Sequence, residues 1–201
     1  GQASVMVGTG FSLNAQRRNS SARGFPLWSD LTKSLVDRLY PDDEEAQLKA
    51  REKAGAISGA LRLAEEFEMA FGRLRLLDHL RKMLPDREHD PGRVHKDLLK
   101  LPWTDVFTTN YDTLLERAAL PLRERRYEVV QCPSDLPLKC APRIVKLHGT
   151  LPGLNDCIVT ETDYRTYPER FAPLLAEVQV AMVKSHLCLV GFSGDDPNFL
   201  A

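Results

Sequence analysis

The rhythm of apolar and polar positions changes twice along the chain. Ala3 to Val7 is a short apolar run ending in Gly8-Thr9-Gly10, the pattern of a buried strand entering a tight turn. Leu13 to Arg23 is polar, with Arg17, Arg18, Asn19, Ser20, Ser21 and Arg23, and reads as an exposed loop. Leu31, Leu35, Val36 and Leu39 then recur at the spacing of an amphipathic helix over Leu27 to Leu39. From Asp42 to Leu84 strand signals vanish and charge density rises. Ala60, Leu61, Leu63, Ala64 and Phe67 make one helical stripe, and Leu74, Leu77, Leu80 and Met83 make a second. A further helix over Arg93 to Lys100 stops before Pro102. The whole stretch is predicted to be a helical insertion of about 42–100 within one domain.

Beyond it, short strands alternate with helices. Strands are expected at Asp105–Thr108, Tyr127–Val130, Arg143–Leu147 and, fully buried, Leu187–Val190. Helices are expected at Tyr111–Ala119 and Pro173–Ser185, the latter with Leu174, Leu175, Val178, Ala181 and Met182 on one face. This alternation predicts an α/β fold: a Rossmann-like, mainly parallel sheet with helices on both faces.

Composition adds exclusions. The 201 residues suffice for one domain with a substantial core. A formal net charge of −1 with both signs mixed argues against strong non-specific nucleic-acid binding, leaving nucleic acid only an indirect role through a partner. No apolar run reaches the length of about 18 residues that a membrane helix needs, so no membrane contact is expected. Cys132, Cys140, Cys157 and Cys188 include no Cys-x-x-Cys pair, so no zinc or other metal is expected. Without a secretory signal they read as reduced thiols of a cytoplasmic protein. The chain opens on a strand and closes on Asp196-Pro197-Asn198, the pattern of a helix start, so part of a longer protein is expected.

In a parallel α/β sheet, ligands bind at the carboxyl ends of the strands. Four such ends carry small or polar residues: Gly8-Thr9-Gly10-Phe11-Ser12, Thr108-Thr109-Asn110-Tyr111-Asp112, His148-Gly149 and Gly191-Phe192-Ser193-Gly194. Gly8 and Gly10 would let backbone N–H groups approach a pyrophosphate, with the Ser12 hydroxyl as a further donor, or they form a plain turn. The third glycine of the dehydrogenase fingerprint is replaced by Asn14, which disfavours hydride transfer. Thr109-x-x-Asp112 fits a helix cap, which leaves the Asn110 amide unexplained. His148 is either a packed histidine or a base, whereas His79, His89, His95 and His186 read as bland. Gly191 and Ser193 divide between a turn and a phosphate or ribose contact.

Taken in order, and with Gly24-Phe25-Pro26-Leu27-Trp28 and Lys146-Leu147-His148-Gly149 added, these segments resemble the sirtuin-like family. Protein-deacetylating sirtuins carry two Cys-x-x-Cys pairs and an Asp-Phe-Arg after their Gly-x-Pro element. This chain has neither, since Leu27-Trp28-Ser29 follows Pro26. The form with Trp28, Thr109-Asn110-Tyr111-Asp112, Asp163-Tyr164 and Asp196-Pro197-Asn198 is similar to the bacterial branch. Domains of that branch act as NAD-depleting effectors of anti-phage defence, fused to or partnered with a sensor. The resemblance implies an NAD glycohydrolase that uses NAD as substrate and no metal. Asn110 would hold the ribose hydroxyls or the attacking water, and His148 would act as general base. Asp112 would bind the nicotinamide carboxamide or hold the loop that does. Gly8, Thr9, Gly10, Phe11, Ser12 and Thr109 would line the cofactor site, with Gly191 and Ser193 on the adenosine side. Pro26 and Trp28 would lie over the cofactor, and the Arg17–Arg23 loop is a candidate lid. A homo-oligomer or a complex with a sensor is expected. The alternatives are an NAD-dependent deacylase or ADP-ribosyl transferase, and a non-catalytic NAD-binding or ADP-ribose-binding module.

Overall fold

The computed structural model describes residues 3–54, 57–150 and 157–191. The chain divides into two compact units. Among the described residues the first unit holds 3–25, 85–150, 157 and 168–191, and the second 26–54, 57–84 and 158–167.

The first unit is built on five parallel strands: β1 (Ala3–Val7), β4 (Trp103–Thr108), β5 (Glu128–Val130), β6 (Arg143–Lys146) and β7 (His186–Val190). Their spatial order is β5-β6-β4-β1-β7. After β1 the chain forms β4 beside it, passes to β5 at the edge and returns to fill β6 between them, and β7 then pairs with the other side of β1. Around the sheet stand α5 (Arg93–Lys100), α6 (Leu114–Ala119) and α8 (Ala172–Lys184). This is the Rossmann-like α/β arrangement predicted from the alternation of elements. Two-residue strands β2 (Gln16–Arg17) and β3 (His89–Asp90) pair antiparallel, and Arg18 reaches Asp90 at 2.7 Å. The polar segment after Leu13 is therefore pinned near its middle, although most of it is exposed.

The apolar strands drive this packing. Val5, Val7, Val106 and Ile144 meet Phe11, Leu98, Leu99, Leu115 and Ala118 in one core cluster. Each such side chain contributes about 1.5–3 kcal/mol on burial. Two expectations fail here. β7, expected to be buried, is paired only to β1, and Leu189 stays 49% exposed. An apolar run carries no mark that separates a central strand from an edge strand. On α8, Leu174, Val178 and Ala181 are buried as expected, but Met182 is 55% exposed.

The second unit is helical: α1 (Trp28–Leu39), α2 (Glu44–Lys53), α3 (Ile57–Phe71), α4 (Arg73–Met83) and the start of α7 (Glu161–Arg170). Asp30 accepts from Leu27 N at 2.9 Å and starts α1, and Asp43 does the same for α2 through Ala46 N. The α3 stripe of Ala60, Leu61, Leu63, Ala64 and Phe67 is buried as expected. On α4 the buried residues are Leu76, Leu77 and Leu80, while Leu74 is 79% exposed. At about 100° per residue, Leu74 sits roughly 120° around the helix from Leu80, off the buried face. Asp163 opens α7 by accepting from Val159 N and Thr160 N, and it pairs with Arg73 at 2.7 Å. Burial alone would raise the Asp163 carboxyl, but these hydrogen bonds and the Arg73 guanidinium hold it below the usual range.

A candidate site at the strand ends

The carboxyl ends of β1, β4, β6 and β7 bring most of the predicted residues into the first unit. At the end of β4, Thr108 Oγ1 donates to Val7 O at 2.8 Å and accepts from Asn110 N at 3.1 Å. Asn110 then turns inward and is only 5% exposed. Its Nδ2 lies 3.0 Å from both Gly8 O and Ser12 Oγ. A carbonyl can only accept, so the amide nitrogen must face Gly8. Asn110 Oδ1 is thereby turned away, buried and without a hydrogen-bond partner. Such an orphan acceptor costs about 1–3 kcal/mol unless a ligand or water supplies a donor.

Ser12 and Asp112 complete this network. Ser12 Oγ donates to Asp112 Oδ2 at 2.6 Å, a short charge-assisted bond, while it accepts from Asn110. Asp112 Oδ1 accepts from Leu114 N at 3.1 Å. Asp112 is buried and its carboxylate holds the Ser12 loop. The hydroxyl proton of Ser12 is committed to Asp112, so Ser12 is not the free phosphate donor that the sequence suggested.

The glycine turns follow the plainer of the two expectations. Gly8 N donates to Val190 O, Gly10 N to Gly191 O and Phe11 N to Gly8 O, at 3.0–3.1 Å. These N–H groups are used within the protein and do not point at a pyrophosphate. Gly191 has φ +60°, and a Cβ there would lie 2.6 Å from Phe11 N. Glycine at Gly191 is thus required by the close approach of the two loops that follow β1 and β7. Phe11 belongs to the core cluster and meets the His95 ring edge-on at 4.7 Å. Its side chain packs in the core, where the sequence placed it in the cofactor site. Thr9 is exposed, and Thr109 is half-buried beside Asn110.

Helix α6 starts at Leu114, three residues later than expected, so Thr109 is not its cap. Thr113 N and Thr113 Oγ1 both donate to the Asp86 carboxylate, which Arg117 also grips at 3.0 Å. The capping carboxylate comes from 27 residues upstream, beyond the reach of a local pattern.

His148 follows β6 and is buried, with Gly149 at φ +87° turning the chain behind it. Leu147 N donates to Thr108 O at 2.8 Å, which ties this turn to the end of β4. Three further buried groups were given no role from sequence. Thr150 Oγ1 has no hydrogen-bond partner. His95 carries two ring nitrogens without partners, and burial lowers its pKa below 6.5. Lys146, 1% exposed, faces Glu116. Ser193 lies outside the described residues, as do Phe192, Gly194 and the Asp196-Pro197-Asn198 segment. Pro26 and Trp28 fall in the helical unit, where Trp28 O accepts from Thr32 in the first turn of α1.

Among the described residues no group of three or more His, Cys, Asp or Glu side chains could hold a metal ion. No helix among them is long and apolar enough to cross a membrane. A cavity of about 680 Å³ in the helical unit is lined by exposed charges of both signs, among them Lys49, Arg62 and Glu66, and contains none of the predicted site residues.

Residues 104–201, which carry Asn110, Asp112 and His148, match the family described as SIR2-like domain. The chain is 29% identical over 194 residues to the NAD(+) hydrolase ThsA of Acinetobacter baumannii, covering 94% of this chain and 37% of that protein. It is 26% identical over 201 residues to the NAD(+) hydrolase ThsA of Bacillus cereus, covering 98% of this chain and 38% of that one. Defense-associated sirtuin 2 of Bacillus subtilis is 23% identical over 185 residues, 89% of this chain and 17% of its own length. The chain therefore spans under two fifths of the length of these relatives. Its carboxyl-terminal half is thus similar to the SIR2-like family, and nearly the whole chain is similar to the amino-acid sequences of these NAD(+) hydrolases.

Proposed function

We propose that the strand-end site cleaves the nicotinamide–ribose bond of NAD, releasing nicotinamide and ADP-ribose or its cyclised form. The relatives named NAD(+) hydrolase support this reading. The observation that carries it is the buried, unpartnered Oδ1 of Asn110, held in place by Gly8 and Ser12. Nicotinamide leaves NAD as a neutral molecule, so its departure needs no strong acid. What the reaction needs is a ribose held while positive charge develops on it, and a nucleophile placed against that centre. Asn110 Oδ1 accepts from a ribose hydroxyl or the attacking water. His148, at the end of the strand beside β4, takes the proton from that hydroxyl or water. Asp112 acts through Ser12 and keeps Asn110 oriented. The Thr150 hydroxyl offers a further polar contact.

In this reading the protein is a cytoplasmic, NAD-depleting effector of anti-phage defence that works as a homo-oligomer or with a sensor. The relative named as a defence-associated sirtuin supports that setting. Incubating the full-length protein with NAD and quantifying nicotinamide tests the chemistry. Release that disappears in His148→Ala is the expected result. Saturable NAD binding with no release from the assembled protein would replace catalysis with the binding-module reading.

A further inference from the structure

Lys146 is the last residue of β6, in register with Thr108 of β4, and its side chain is almost wholly removed from solvent. Its Nζ donates to the backbone oxygen of Asp112 at 2.5 Å and stands 3.0 Å from Glu116 Oε1 on α6. Apart from this ion contact, both Glu116 carboxylate oxygens lack a hydrogen-bond partner. Stability is a poor explanation for such a pair. Withdrawing two charges from water costs several kcal/mol each, and an apolar pair of equal volume is commonly as stable or more so. Burial accordingly pushes the Glu116 carboxyl upward, against the pull of the Lys146 ammonium.

What the pair does have is position. His148 lies two residues beyond Lys146 on the same chain segment. The Asp112 carbonyl belongs to the turn that carries Asn110, and Thr108, opposite Lys146, receives Asn110 N. Lys146 therefore links the three pieces that must keep a fixed spacing: the β6 end, the 110–113 turn and the first turn of α6.

We propose that the buried Lys146–Glu116 ion pair is a positioning device for the reaction, holding the Asn110–Asp112 turn against the strand end that carries His148. Neither residue touches the substrate. The inference rests on the NAD-cleaving reading. It adds that correct placement of Asn110 and His148 depends on a charge pair that local packing alone does not replace.

The test compares full-length wild type with Lys146→Met/Glu116→Leu, which removes both charges while keeping the volume. Nicotinamide release, thermal midpoint and amide hydrogen exchange over residues 110–113 are measured for each. The double variant is expected to melt at or above wild type and to keep its KM within about threefold, yet to lose about 10- to 100-fold in kcat. Exchange over 110–113 is expected to quicken while that of β4 is unchanged. Wild-type kcat in the folded double variant overturns the proposal. If that variant fails to fold, Glu116→Gln decides instead, since it keeps an acceptor for Lys146 without its charge. A lowered kcat at unchanged KM supports the proposal, and wild-type kcat overturns it. A wild type that releases no nicotinamide would instead overturn the NAD-cleaving reading, and the proposal with it.

Discussion

Strands β4 and β6 carry buried charge at both ends, and the two ends treat it differently. Toward the amino end, Asp105 and Arg143 sit in register, with Arg143 Nε 2.7 Å from Asp105 and its NH2 group 2.5 Å from Glu177. Two carboxylates meet one guanidinium fork, and its pKa is raised first by the Asp105 hydrogen bond and further by Glu177, against the effect of burial. At the carboxyl end, Lys146, Asp112, Asn110 and Thr150 are also buried, but Asn110 Oδ1 and Thr150 Oγ1 lack hydrogen-bond partners. One end is a closed account of donors and acceptors. The other is left incomplete, which is what a protein does where a ligand must supply the missing groups. Burial of charge does not by itself identify a site; incomplete pairing at a strand end does.

Three substitutions probe that contrast, from the largest effect downward. Arg143→Met strands Asp105 and Glu177 and is expected to cost about 3 kcal/mol of stability. Urea unfolding reads that loss, while NAD turnover per folded molecule stays at the wild-type level; a specific loss of turnover would break the contrast. Ser12→Ala removes the hydroxyl between Asn110 and Asp112 and should cost about 1–3 kcal/mol of transition-state stabilisation, seen as a fall in kcat per folded molecule, together with a lowered thermal midpoint because Asp112 Oδ2 loses its donor. The smallest effect is a pH dependence. Burial lowers the His95 pKa in the folded state, so below 6.5 the unfolded chain binds the extra proton. Stability from this group is therefore lost as pH falls from 6.5 toward the lowered folded value. His95→Phe keeps the ring contact with Phe11 and should flatten that decline. Unfolding at about pH 7.5 and about pH 5.5 tests it, and an identical slope in both proteins would refute the assignment.

Much of the first unit was legible because its signals are local. Val5–Val7, Val106–Thr108 and Ile144–Lys146 are apolar runs that end in glycine or polar residues, and parallel strands expose such ends together. Asn110 stood out because a helix cap does not need it. What escaped the sequence is non-local. The Asp86 carboxylate that starts α6, the contact between the Gly10 and Gly191 backbones, and the meeting of Lys146 with Glu116 all join residues far apart in the chain. A lysine closing a strand reads as its solvent end, and only the fold shows that α6 covers it. His95 was passed over because a histidine on an apolar helix face looks the same whether its nitrogens are satisfied or not.

The central claim is that the incomplete end holds the reacting ribose. Its most direct test measures nicotinamide release from NAD by full-length wild type, Asn110→Ala and Arg143→Met, each normalised to folded protein. A loss of about 10²–10³-fold is expected for Asn110→Ala and none for Arg143→Met. Turnover by Asn110→Ala at the wild-type rate would contradict it.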